Sequence, residues 1–136
     1  MRILAIDPGE KRIGIAISDP SGTIASPLMV IRHVSRLVDA ATIADVARQN
    51  QVELIVIGKS VDEDGLPTPQ TRHSDRLAEA IHQQCDIPLI AWDESFSTQA
   101  ARQAQIEMRT MRKKRSGHLD ELAATVILQD YLNSKA

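Results

Sequence analysis

Cysteine is nearly absent from this chain: Cys85 stands alone among 136 residues, so no internal disulfide can brace the fold. It has no evident base partner in the sequence and is read as structural. Aromatic residues are just as scarce, with one Trp, one Tyr and one Phe. The core must therefore be aliphatic, and stacking of bases on aromatic platforms is excluded as a main binding mode. The longest purely aliphatic run, Leu54-Ile55-Val56-Ile57, is far too short to span a bilayer. The first residues read as a strand and lack the basic-then-apolar layout of a signal peptide. A cytoplasmic protein with no membrane association is expected. His33, His73, His82 and His118 are scattered without metal-ligand spacing; His118 alone lies close to an acid of interest, two residues before Asp120, where it could assist proton transfer or cap a helix.

What is present is ordinary in amount and uneven in placement. The chain is 43% hydrophobic and 25% charged, the balance of a globular protein, and its length fits a single domain over residues 1–136. The net charge of −2 argues against a strongly basic nucleic-acid coat protein. Yet Arg109, Arg112, Lys113, Lys114 and Arg115 crowd together with no acid among them, a run that is either a solvated loop or a surface meeting phosphates by charge.

Residues 2–7 are apolar until Asp7, the pattern of a strand buried on both faces. After the Pro8-Gly9 turn, residues 12–18 alternate, with Ile13, Ile15 and Ile17 on one side; this predicts a half-buried strand antiparallel to the first. A third strand is expected over 23–31, interrupted near Pro27. Ser35 is a candidate N-cap for a helix over 36–49 with Leu37, Ala40, Ala41, Ile43, Ala44 and Ala47 on its inner side. A fourth strand over 52–58, a helix over 70–84 and a fifth strand over 87–92 follow. Helices over 98–108 and 117–132 complete the chain. Three strands in a meander, then strands reached by helical crossovers and so parallel to the first, give a mixed five-stranded α/β sheet with helices on both faces.

Parallel strands of such sheets offer functional groups at their carboxyl ends. Asp7 ends the first strand and Asp93-Glu94 follow the last. Asp120 lies at the border of the apolar stripe of the final helix, formed by Leu119, Leu122, Ala123, Val126 and Ile127, while Glu121 points away. Each acid alone fits a plainer role: Asp7 as a turn former, Asp93-Glu94 and Asp120 as complements to a helix dipole. Their agreement on one edge is required by none of these roles. Carboxylates gathered there repel unless cations lie between them, and an oxygen-rich set without Cys or clustered His suits Mg²⁺ or Mn²⁺. Two ions about 3.5–4 Å apart would steady the attacking and leaving oxygens of a phosphodiester displacement. Metal-assisted hydrolysis of a nucleic-acid backbone is the expected reaction.

The segment Ile6-Asp7-Pro8-Gly9-Glu10-Lys11-Arg12-Ile13-Gly14-Ile15-Ala16-Ile17-Ser18-Asp19 strongly resembles the YqgF (RuvX) family. Further pieces match it in order and spacing. They are Ile55-Val56-Ile57-Gly58 with Asp64-Gly65, Trp92-Asp93-Glu94 with Ser97-Thr98, Lys113-Lys114-Arg115, and Leu119-Asp120-Glu121-Leu122-Ala123-Ala124 followed by Ile127-Leu128-Gln129-Asp130-Tyr131-Leu132. The resemblance implies a ribonuclease H-like fold and either of two activities ascribed to that family: maturation of the small-subunit (16S) ribosomal RNA precursor, or Holliday-junction resolution. It carries Asp7 and Asp120 over as catalytic, metal-binding acids. From the Asp-Glu pair it favours Glu94 with Asp93 in reserve. Lys11, Arg12, Arg112, Lys113, Lys114 and Arg115 become the cations facing substrate, and Ser97 and Thr98 either hold a phosphate at a helix start or cap the helix. Two departures bear on substrate placement: Ser95 stands where the family has Arg, and Gly58-Lys59-Ser60 replaces Gly-Leu-Pro.

The implied partners are structured RNA or branched DNA, with association to ribosomal precursor particles. A competing reading is a nucleic-acid or ribosome-binding module without catalysis. Phosphoryl transfer from ATP is a third, since Asp7-Pro8-Gly9 through Gly14 resembles the phosphate loop of actin-like kinases. Against it, those enzymes close a cleft between two lobes where this chain has one, and no full Walker-type Gly-x-x-x-x-Gly-Lys-Ser/Thr loop is present, Glu53 standing where Gly58-Lys59-Ser60 would need its first glycine. Symmetric cutting of a junction would need a two-fold dimer. No long exposed apolar stripe is legible, so a monomer acting on RNA is expected.

Overall fold

A computed structural model describes residues 1–59, 64–93 and 120–135, with residues 120 and 121 as backbone only. Strand β1 (Ile3–Pro8) lies at the centre of a five-stranded sheet. It pairs antiparallel with β2 (Arg12–Ser18), which pairs antiparallel with β3 (Ala25–Arg32). On its other side β1 pairs parallel with β4 (Leu54–Lys59), and β4 with β5 (Leu89–Asp93), giving the order β3-β2-β1-β4-β5. Helices α1 (Arg36–Gln49) and α2 (Pro69–Gln84) cover one face, and α3, described over Asp120–Lys135, covers the other. The meander, the parallel crossovers and the helices on both faces are those expected from the order of elements.

Period-two alternation divides the side chains of the strands into two cores. Leu4, Ile6, Ile13, Ile15, Ile55 and Ile57 meet α1 and α2 through Ile43, Ala47, Leu77 and Ile81. Ile3, Ala5, Ala16 and Val56 meet α3 through Ala124, Ile127, Leu128 and Tyr131. This corrects the half-buried reading of β2. Its Gly14, Ala16 and Ser18 are buried as firmly as its isoleucines, because small residues there let α3 lie close above the strand. Ser18 spends its hydroxyl on the backbone, accepting from the N–H of Ile3 at 2.8 Å.

The helix ends follow the local rules. Ser35 caps α1 by accepting from Val38 N–H, and Thr68 caps α2 in a reciprocal box with Thr71. Helix α1 closes through Gln51, whose φ of 57° allows Val52 N–H to bond Ala47 O at 2.9 Å. One face was misread. Leu37 is 66% exposed, with Val34 and Val38 beside it also exposed, while Asp39 is buried at 2%. The polar residue goes inward because its carboxylate is satisfied there, by Val34 N–H at 3.0 Å and by the His33 ring.

Strand limits shift by small amounts for identifiable reasons. β4 runs from 54 rather than 52, with Val52 buried in the turn before it. β5 starts at 89 rather than 87, Pro88 giving only its carbonyl to Ile55 N–H, and Asp93 belongs to the strand rather than following it. β3 starts at 25 rather than 23, and its register against β2 slips at Ile15/Ala16, next to Pro27. The final helix continues to 135 rather than 132. The helix expected over 98–108 lies outside the described residues.

The late start of β3 is the work of Asp19. One carboxylate oxygen accepts from Ile24 N–H at 2.9 Å and Thr23 N–H at 2.8 Å, and the other from the Ser21 hydroxyl. These donors, Ile24 first and then Ser21 and Thr23, lower the Asp19 pKa from 3.8 to about 2. A carboxylate depressed on folding contributes stability above its unfolded pKa and loses it as pH falls through the folded one. The thermal midpoint of the native protein should therefore exceed that of Asp19→Asn at neutral pH. The gap should close between about 4 and about 2; a gap constant over that window would contradict this account of the turn.

Candidate active site

Asp7 is the penultimate residue of β1, and alternation sets it on the α3 face with Ile3 and Ala5. Its neighbours on both flanks are glycines. Gly14 is its antiparallel partner on β2, and Gly58 stands beside it on β4, one step beyond the Ile6–Ile57 pair. A row on the α3 face thus reads Val30, Gly14, Asp7, Gly58, Trp92 across the five strands. Two buried positions without side chains thus flank a half-buried carboxylate at the carboxyl edge of the sheet. The sequence shows both glycines, but only the register puts them on either side of Asp7.

The turn beyond Asp7 is tight. A Cβ on Gly9 would come within 2.3 Å of Arg12 O, so only glycine fits where the chain doubles back. Gln70, in the first turn of α2, donates its side-chain N–H to Pro8 O, tying that helix to the residue after Asp7.

Helix α3 is tied to the sheet by its side chains. Gln129 bonds the start of β3, accepting from Ala25 N–H at 2.9 Å and donating to Thr23 O at 3.1 Å. Ala123 is buried, and Ala124 packs with Ile127 and Leu128 on Ile3, Ala5 and Ala16. Asp120 is the first described residue of this helix.

Asp93 is placed differently. It falls in the alternation with Leu89, on the α1/α2 face, opposite to Asp7. Trp92 takes the α3 face and fixes β5 to the helix: its Nε1–H donates to Asp130 Oδ2 at 3.0 Å, and its ring meets Tyr131 edge-on at 5.4 Å. Asp130, only 6% exposed, is a polar anchor that the helical pattern did not mark.

Lys11 and Arg12 are exposed just past the turn, at the same edge as Asp7. Glu94, Ser97, Thr98, Arg112, Lys113, Lys114, Arg115 and His118 lie outside the described residues, as do Ser95 and Ser60. Lys59 ends β4, paired with Asp93. Among the described residues no group of three or more His, Cys, Asp or Glu side chains is assembled for a metal ion; of the expected carboxylates, Asp7 stands on one face of the sheet and Asp93 on the other. A hollow of about 610 Å³ between Arg48, Gln84 and Pro88 lies at the amino edge, remote from Asp7. Among the described residues no helix is long and apolar enough to cross a membrane.

Comparison with known proteins decides the family. The model of the RuvX family, described as Holliday junction resolvase, matches residues 1–134. The chain belongs to the RuvX family. Similar family members include a "Putative pre-16S rRNA nuclease" of Roseiflexus sp. (strain RS-1), 37% identical over 98% of this chain and 95% of its own length. A protein of the same name from Thermoanaerobacter pseudethanolicus is 39% identical over 99% of this chain and 98% of its own. Among solved structures, RuvC of T. thermophilus in complex with a Holliday junction superposes with a TM-score of 0.63 at 13% identity, covering 99% of this chain and 95% of that one. The fowlpox virus Holliday junction resolvase gives 0.58 at 16% identity, covering 98% and 99%. At such identities the likeness establishes the ribonuclease H-like fold of this RuvX chain.

The Trp92–Asp130 bond locks β5 and α3 together. Trp92→Phe keeps an aromatic ring but strips a buried carboxylate of a donor, which should cost about 1–3 kcal/mol in urea unfolding. Asp130→Asn, which retains an acceptor oxygen, should cost less. Equal stability of Trp92→Phe and the native chain would show that the bond does not hold the two elements.

Proposed function

We propose that this RuvX chain is a nuclease that hydrolyses phosphodiester bonds with Mg²⁺ or Mn²⁺ held by Asp7, Glu94 and Asp120, and that it acts in the cytoplasm on the precursor of small-subunit ribosomal RNA. The observation that carries the reading is the carboxylate of Asp7 at the carboxyl edge of the sheet, between Gly14 and Gly58, with the family resemblance around Asp120 supporting that acid as its partner. Hard oxygen donors without thiolate or imidazole fit these ions. Bound there, the ions would supply charge stabilisation for the oxygens that attack and leave phosphorus. The chain's own contribution is to fix Asp7 on a strand buried on both faces, to keep side chains off both of its flanking positions, and to offer Lys11 and Arg12 to the neighbouring phosphates.

The pleat favours Glu94 over Asp93 as the third ligand, since Asp93 stands on the face opposite Asp7 and its neighbour in sequence is the remaining member of the pair. Asp120 precedes the buried Ala123, Ala124 and Ile127 by three, four and seven residues, a helical spacing that supports its inclusion. The precursor-RNA substrate rests on the names of the relatives. Ser97, Thr98, Arg112, Lys113, Lys114 and Arg115 are assigned to substrate binding, on a single-domain monomer that associates with ribosomal precursor particles. A second reading, resolution of Holliday junctions, is favoured by the description of the family; it requires a two-fold dimer, which a mass measurement in solution distinguishes.

The test is cleavage of a precursor-RNA fragment and of a four-way DNA junction with Mg²⁺ or Mn²⁺. Loss of several kcal/mol of transition-state stabilisation corresponds to a drop of about a thousandfold for Asp7→Asn, Glu94→Gln and Asp120→Asn, and chelation should abolish cutting. Asp7→Asn cutting as fast as the native chain would refute the metal site. Asp93→Asn should retain activity; if it is inert while Glu94→Gln cuts, the assignment within the pair is reversed.

A further inference from the structure

Arg12 and Arg32 are direct partners across β2 and β3, so their side chains leave the sheet on the same face. That face is the α3 face: Arg12 alternates with Gly14 and Ala16, and Arg32 with Val30, while Met29 and Ile31 turn to the other core. Both arginines therefore project on the side of the sheet that carries Asp7, one strand and two strands away. Strand spacing and rise put their Cα atoms at about 8 Å and about 12 Å from that of Asp7. Like charges directly opposite one another in a sheet are unfavourable. Arg12 is engaged in an interaction of its own, whereas the exposed guanidinium of Arg32 makes no ion pair or side-chain hydrogen bond among the described residues.

The backbone around this pair is held. His33 N–H donates to Lys11 O at 2.9 Å, closing the end of the hairpin. Immediately after Arg32, the buried Asp39 of α1 grips the chain through Val34 N–H and the His33 ring. Lys11, Arg12, Arg32 and His33 line one shallow hollow, with Glu10 the single acid among its described residues. A cationic pair whose backbone is fixed beforehand loses little freedom on meeting an anion.

We infer that Arg32, set beside Arg12, is a phosphate-binding residue, and that a nucleic-acid strand engaged at Asp7 continues outward over the ends of β2 and β3. The direction of the track rests on the nuclease reading; the binding surface does not. The partner is a polyanionic backbone recognised by charge, so the surface accepts RNA and DNA alike and carries no base preference.

The experiment is fluorescence anisotropy with a labelled RNA hairpin bearing a single-stranded tail, and with its DNA counterpart, in chelator and over a series of salt concentrations. Loss of one phosphate contact lowers the slope of log K against log salt by about 0.7 to 0.9. Arg32→Gln should show that drop with a several-fold weaker affinity at low salt. Arg32→Lys should restore most of both. Arg76→Gln, an exposed arginine on α2 across the sheet, should match the native chain. A slope for Arg32→Gln equal to that of Arg76→Gln overturns the inference, and the nuclease reading still stands if the native chain cuts with Mg²⁺. A lowered slope in a chain that cuts neither substrate overturns the nuclease reading and keeps the arginine pair as a binding surface.

Discussion

Burial of β1 on both faces is the constraint from which the candidate site follows. A strand in that position must be apolar wherever it lies between helices, and its first four residues, Ile3 to Ile6, are at most 6% exposed. A carboxylate can enter only where the helices stop covering the strand, which is the carboxyl edge. Asp7 is there because one position earlier it would be buried in an aliphatic core without a partner, at a large desolvation cost. The same burial makes Asp7 well placed by every neighbour at once: its strand cannot slip without moving apolar residues from one core to the other.

Around this fixed point the two faces of the sheet divide the work. The α1/α2 side is a conventional aliphatic core closed by capped helices, with one buried acid, Asp39, used to hold the chain that follows β3. The α3 side is thinner, built on small residues in the strands and helix, Ala5, Gly14, Ala16, Gly58, Ala123 and Ala124. That thinness lets a helix approach closely, and at the carboxyl edge it leaves no side chain on either flank of Asp7. The Trp92–Asp130 bond and the Trp92–Tyr131 contact then join the edge strand to the same helix. With three aromatic residues in the chain, placing two of them in one contact at this junction concentrates rigid packing where β5 and α3 must stay in register. RuvX membership and the ribonuclease H-like architecture agree with a site at this edge, since the order β3-β2-β1-β4-β5 brings the carboxyl ends of β1, β4 and β5 together there.

The sequence by itself determined the elements and their order. Helices α1 and α2 were legible to within a residue because the Ser35 cap and the polar, proline-containing loop before α2 are local signals, and the apolar strands announced themselves by composition. It also singled out Asp7 as the acid ending the first strand, and the family through motifs spread over the chain, with Lys11 and Arg12 following from that resemblance. Only the tertiary structure decided which face each side chain occupies. Strands apolar on both sides carry no parity signal, so nothing in the text of β5 could show that Asp93 turns away from Asp7. The glycines beside Asp7 and the approach of Arg32 to Arg12 depend on pairing between strands distant in sequence. The inward turn of Asp39, against the apolar stripe expected of α1, depended on backbone donors at Val34 that exist only once β3 and α1 are folded together.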